Sequence, residues 1–132
     1  MFSRACLKKG GMEVAARAGD GWIANPVITT NASAGNQTIT AAMIAGGSAV
    51  FTGAAGAVQY TVDTVANILA ALTGMDIGDT YAFTVTNTAA QTATLNTAVT
   101  GVTYAGFTTA NAQTRTGIIE KTSSTTIKLT WI

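Results

Sequence analysis

The sequence predicts a mainly all-β fold, a β-sandwich or β-barrel-like domain with one short helix and an extended N-terminal arm. Three observations carry that expectation. From Val27 onward, β-branched runs recur between turn residues at roughly 8–12-residue spacing, the rhythm of a sandwich or barrel. Two of those runs alternate cleanly between apolar and polar positions. One segment alone has helical periodicity.

The arm comes first. Residues 1–24 hold Arg4, Lys8, Lys9 and Arg17 against Glu13 and Asp20, a local excess of positive charge, and they show no β-alternation. A short helical turn over Met12–Arg17 is expected within them, with Trp22 and Ile23 anchoring the arm where it meets the body. Asn25-Pro26 then marks a turn, because the residue before proline is pushed out of the helical region.

The body, residues 25–132, follows as a series of strands. Val27–Thr30 and Gln37–Ile44 flank the polar loop 31–36. Ala49–Thr52 and Val58–Val62 flank the small-residue turn Gly53–Gly56. The helix, residues 64–73, has Asp63 or Thr64 as its N-cap. Val65, Ile68, Leu69 and Leu72 fall at i, i+3, i+4 and i+7, and Thr73-Gly74 ends it. So short a helix is not stable alone and must lie on the sheet. In Tyr81–Thr86, Tyr81, Phe83 and Val85 share one face while Ala82, Thr84 and Thr86 share the other. Thr92–Leu95, Gly101–Tyr104 and Thr116–Glu120 continue the series. Thr125–Trp131 completes it, with Ile127, Leu129 and Trp131 opposite Thr126, Lys128 and Thr130. No fixed-period repeat is visible, which argues against a solenoid.

Composition narrows function mainly by exclusion. The 132 residues make one domain. There is no histidine and one cysteine, Cys6, so histidine catalysis, histidine–metal sites and an internal disulfide are excluded. A net charge of +1 supplies no basic field for nucleic acid. No run of about 20 strongly apolar residues supports a membrane span. The charges at positions 8, 9, 13 and 17 interrupt any signal-peptide core, so export by the usual route is not expected.

Asp76-Ile77-Gly78-Asp79 has too few oxygens for calcium and fits a tight turn. Ser123 and Ser124 lack a nucleophile elbow and a histidine partner, and no glycine-rich stretch precedes a Lys-Ser/Thr pair. No catalytic residue, metal ligand or cofactor site emerges. Tyr60, Tyr104 and Phe107 are explained chiefly by core packing, with stacking of these aromatics on sugars, near Asn96, Asn111 and Gln113, as the alternative, Tyr104 and Phe107 being the expected glycan contacts.

The positive signal is the scarcity of charge. Only 10% of residues are charged, against about 25% in an average soluble protein. Residues 21–62 and 80–114 contain none, while alanine and threonine supply 25 residues each. Such a surface is expected to be covered by copies of the same chain or by a neighbouring protein, with a low-charge monomer as the bland alternative.

The order of segments adds a resemblance. A capped helix over Asp63–Leu72 is followed by Ile77-Gly78-Asp79-Thr80-Tyr81-Ala82-Phe83-Thr84-Val85-Thr86-Asn87-Thr88. Then come Thr94-Leu95, Gly101-Val102-Thr103-Tyr104-Ala105-Gly106 and the run from Lys121 to Leu129. Over roughly residues 38–132 this resembles the small β-rich capsid decoration (cement) and head-fibre or spike proteins of tailed bacteriophages. The resemblance implies a non-enzymatic virion component on the capsid exterior, a homotrimer whose partner is the major capsid protein. On that expectation the trimer belongs to the body. The arm, through Arg4, Lys8, Lys9, Trp22 and Pro26, docks on the capsid. The alternative is a head-fibre or tail module that binds host surface glycan through Tyr104 and Phe107. A bacterial fimbrial subunit of similar composition would need export.

Overall fold

The computed structural model describes the backbone of residues 8–9, 12–13, 26–96, 99–105, 108–109 and 113–132. Side chains are described for 26–95, 99–103 and 113–132. The fold is mainly β, with mixed sheets. β1 (Lys8–Lys9) and β2 (Met12–Glu13) form a two-stranded antiparallel ribbon of their own. Met12 and Glu13 are therefore extended where a helical turn was expected. Gly10-Gly11 lies between the strands, and such a pair favours a tight reversal over a helix. Positions 14–17 lie outside the described residues.

The body alternates between two sheets. β3 (Val27–Asn31), β5 (Gly47–Phe51) and β7 (Thr80–Asn87) lie side by side and parallel in one sheet. β4 (Gln37–Ile39), β6 (Val58–Val62) and β8 (Ala93–Asn96) do the same in the other. Helix α1 (Ala41–Gly46) joins β4 to β5, and α2 (Val65–Ala71) leads from β6 towards β7. The chain thus makes three coil-like turns before its course changes. β9 (Val102–Ala105) and β10 (Thr108–Thr109) then go to different sheets. β11 (Gln113–Lys121) and β12 (Ile127–Trp131) extend the larger sheet as an antiparallel pair. The final orders are β3-β5-β7-β11-β12-β9 and β10-β8-β6-β4.

A coil-like course was not expected from a sequence without a repeat. Its turns differ in length. Val27 pairs with Gly47 in the first turn and Ser48 with Thr84 in the second, because the second turn carries the longer excursion through α2 and the Asp76–Asp79 turn. The expected strand Gln37–Ile44 also divides. Only Gln37–Ile39 pairs. Thr40 then adopts an extended conformation and its hydroxyl accepts from Met43 N at 3.2 Å, the capping geometry that starts α1. α2 starts the same way, with the Thr64 hydroxyl accepting from Asn67 N. The helix expected over 64–73 is present as Val65–Ala71.

One core lies between the sheets. The alternating residues Tyr81, Phe83, Val85, Ile127, Leu129 and Trp131 all turn inward and are buried, as their pattern predicts. Ile39, Val58, Tyr60, Val62 and Leu95 come from the smaller sheet, and Ile44, Ile68 and Leu72 from the helices and the α2 C-cap. Phe51 of the larger sheet stacks on Tyr60 of the smaller one, with centroids 4.0 Å apart and planes at 20°. Phe83 meets Trp131 edge-on at 5.4 Å, over Gly117, where any side chain would strike both rings.

The crossings between sheets stack like the strands. Thr52 N donates to Asn31 O at 2.9 Å, Ala55 N to Ala34 O at 3.3 Å and Thr88 N to Phe51 O at 3.0 Å. Gln59 N donates to Asn36 Oδ1. In the third crossing, fully buried Asn87 accepts from Ala89 N through Oδ1 and donates from Nδ2 to Gln91 O at 2.7 Å. Gly53 sits where the first two crossings touch. A Cβ there would lie 1.9 Å from Ala32 O, whereas one at Gly56 meets nothing within 4 Å.

Gly53→Ala is therefore expected to lower stability by about 3 kcal/mol, the upper range for overpacking, and Gly56→Ala by less than about 1 kcal/mol. Urea unfolding of the two variants checks the contrast. The Tyr60 hydroxyl is fully buried and has no hydrogen-bond partner among the described residues. Tyr60→Phe should raise the unfolding free energy by about 1 kcal/mol or more, seen as a higher urea midpoint, since it removes an unsatisfied donor and keeps the stack.

Candidate functional site

The residues opposite the core form the outer face of the six-stranded sheet. Pleating sends alternate residues there, and register aligns them into rows across the strands. One row runs Ile28, Ser48, Thr84 and Thr116, and continues to Ile132 through reciprocal hydrogen bonds between Thr116 and Ile132. A second runs Thr30, Val50, Thr86 and Thr114, and a third Ala82, Ile118 and Thr130. The fourth holds the charges, Glu120 directly opposite Lys128, flanked by Thr80 and Thr103.

Three of the four rows carry no charge. Their hydroxyls are partly self-satisfied: Thr86 Oγ1 and Thr114 Oγ1 lie 2.7 Å apart, and Thr84 Oγ1 donates to the Gly47 carbonyl at 3.4 Å. Hydroxyls already bonded within the sheet lose little on leaving water, and their methyl groups gain by burial. The face is chemically suited to contact with another uncharged surface.

The arm-docking residues fall as follows. Arg4 and Trp22 lie outside the described residues. Lys8 and Lys9 form β1, with backbones paired to Glu13 and Met12. Pro26 is exposed and immediately precedes β3, at the edge of the large sheet. Of the glycan candidates, Tyr104 pairs in register with Leu129 of β12, and Phe107 lies outside the described residues. Asn96 ends β8 of the smaller sheet and Gln113 begins β11 of the larger, and Asn111 lies outside the described residues. Tyr60 is buried against Phe51, and burial pushes its phenol pKa up.

The remaining polar motifs are structural. Asp79 Oδ2 accepts from Asp76 N, Gly78 N donates to Lys121 O, and Lys121 Nζ donates to Met75 O at 3.0 Å, which closes the expected tight turn. Ser123 and Thr126 hydroxyls bond within the β11–β12 turn. No three potential ligands gather around a metal position among the described residues. No described helix is long and apolar enough to cross a membrane.

Asp63 ties the two helices together. Its Oδ2 accepts from Ala41 N, the first residue of α1, while Oδ1 accepts from Thr64 N and from Asn67 Nδ2. Burial raises its pKa, but the hydrogen bonds from Asn67, Ala41 and Thr64 outweigh that and leave the carboxyl below its ordinary value. A depressed folded-state pKa stabilises the protein above the unfolded value and is lost as pH falls through the folded one. The stability lost between neutrality and about pH 3 should be smaller in Asp63→Asn than in the parent chain. Urea midpoints at the two pH values measure it, and equal losses would refute the assignment.

The Thr-rich outer rows were visible in the sequence at Ala82, Thr84, Thr86, Lys128 and Thr130. The contribution of Thr114, Ser48 and Ile28 was not, because only pairing shows which residues join a row. No family model, curated protein or solved structure matches the chain.

Proposed function

We propose that the chain is a non-enzymatic structural component of a tailed-phage virion, a homotrimer that decorates or cements the capsid exterior with the major capsid protein as its partner. The observation that carries this reading is the outer face of the six-stranded sheet. It presents three uncharged rows of Thr, Ser, Ala, Val and Ile in a chain with few ionisable groups. An assembled particle hides such a face and multiplies a modest contact by symmetry. The fold is read as a β-sandwich rather than a closed barrel. In support, each sheet has two edge strands, and the Phe51–Tyr60 stack joins the sheets face to face.

The contact is tested by placing charge within it. Thr84→Arg combined with Thr116→Arg keeps the core intact, since both positions face outward. Light scattering should then report a mass one third that of the parent chain, the loss of the threefold contact, with an unchanged circular dichroism spectrum. A parent chain that is monomeric at high concentration removes the basis for the trimer. Docking through the arm is tested separately: deleting residues 1–20 should abolish attachment to expanded phage heads and leave the trimer in solution.

A further inference from the structure

The coil-like part of the body has two ends, and the described residues close only one of them. Beyond the third turn, β11 pairs with β7 and β10 pairs with β8, so both sheets continue. At the first turn nothing among the described residues does this. β3 is the terminal strand of the large sheet and β4 that of the small one, and β1 and β2 pair only with each other. Among the four edges, β10 has two residues, β4 three, β9 four and β3 five. The longest edge also lacks the usual protection. It contains no charge and no bulge, its only proline precedes it, and Val27 and Ile28 are 57% and 69% exposed. A coiled array with one uncapped terminal turn ordinarily requires a cap.

We propose that this edge pairs with the same edge of a second copy, β3 against β3 in antiparallel register about a twofold axis through Thr29. The occupant must be a strand, because what the edge offers is a row of main-chain donors and acceptors. Self-pairing meets no like-charge repulsion, since no residue between Asp20 and Asp63 is charged. Register follows from pleating. An axis between two residues would set inward positions against outward ones, so it must pass through a residue. Only Thr29 then allows all five residues, Val27–Asn31, to pair. Ile28 meets the partner's Thr30 on the outer face, a favourable aliphatic–threonine cross-strand pair. The two outer faces become continuous. This contact is distinct from the trimer contact proposed above and goes beyond it.

Cysteine cross-linking tests the register directly. In a Cys6→Ser background, Thr29→Cys places two thiols opposite each other at a separation a disulfide spans, whichever kind of antiparallel pair forms. Mild oxidation should give about tenfold more covalent dimer than the outer-face control Thr80→Cys, because a held contact exceeds random collision by its effective concentration. Ile28→Cys alone should resemble the control. Ile28→Cys with Thr30→Cys should cross-link like Thr29→Cys. Ile28→Lys should abolish the dimer by light scattering with circular dichroism unchanged.

Equal cross-linking at positions 29 and 80 overturns the proposal. So does an absence of cross-link accompanied by a lower melting temperature on deleting residues 1–20, which assigns the edge to the chain's own arm. The Thr29→Cys cross-link should survive the Thr84→Arg, Thr116→Arg background. Failure of the trimer reading therefore leaves this contact standing, and failure of this contact leaves the trimer untouched.

Discussion

Everything in the body depends on the stacking of the crossings between its two sheets. A chain that passes repeatedly from one sheet to the other exposes backbone polar groups at each passage, and unpaired groups near a core are costly. Here each crossing rests on the one before it. Asn31 O, Ala34 O and Phe51 O each accept an amide from the next turn. Close stacking leaves no room for a side chain at Gly53. Among the described residues the third crossing has no fourth above it, and the Asn87 side chain itself bonds the Ala89 amide and the Gln91 carbonyl. That accounts for a fully buried amide in an otherwise apolar interior. It also shows why the core spans both sheets: once the crossings are stacked, Phe51 and Tyr60 face one another across the gap with little freedom left.

Strands were legible where local alternation coincides with burial. In Tyr81–Thr86 and Ile127–Trp131 the apolar positions are the buried ones, because each strand has one face on the core and one facing outward. Legibility failed where structure depends on partners distant in sequence. Gln37–Ile44 has a continuous β-like composition, yet pairing ends at Ile39 and the Thr40 hydroxyl caps a helix of six residues, too short to leave a periodic trace. The parallel pairs Val27–Gly47 and Ser48–Thr84 have no common spacing, so the coil leaves no repeat to find. Parallel neighbours are chosen by the whole fold, and no local pattern records them.

The candidate site divides along the same line. Part of the outer face could be read from alternation, since Thr84, Thr86 and Thr130 sit opposite buried neighbours. The open edge could not, because being an edge is a property of sheet order alone. Val27–Thr30 reads like any interior strand, with β-branched residues and no charge. What distinguishes it is the exposure of Val27 and Ile28 at the end of a sheet whose other strands cover such residues.

The placement of the few body charges bears on both surfaces. Asp63 lies at the end of β6, Asp76 and Asp79 in the turn before β7, and Glu120, Lys121 and Lys128 beside that turn in the antiparallel pair. These six are at the helix-bearing end of the sheets; the seventh, Arg115, lies further along β11, paired with Val85 in an inward-facing row and so off the outer rows. The crossings at the opposite end, within 32–36, 52–57 and 88–92, contain none. Concentrating charge at one end leaves the outer rows and the β3 edge free of the repulsion and desolvation that would oppose burial. The same end receives the chain from the arm, where residues 1–20 carry a local excess of positive charge against the net negative charge of the body. Polarity along the strands, rather than across the sheets, thus separates the part of the surface that favours water from the part that favours another β surface.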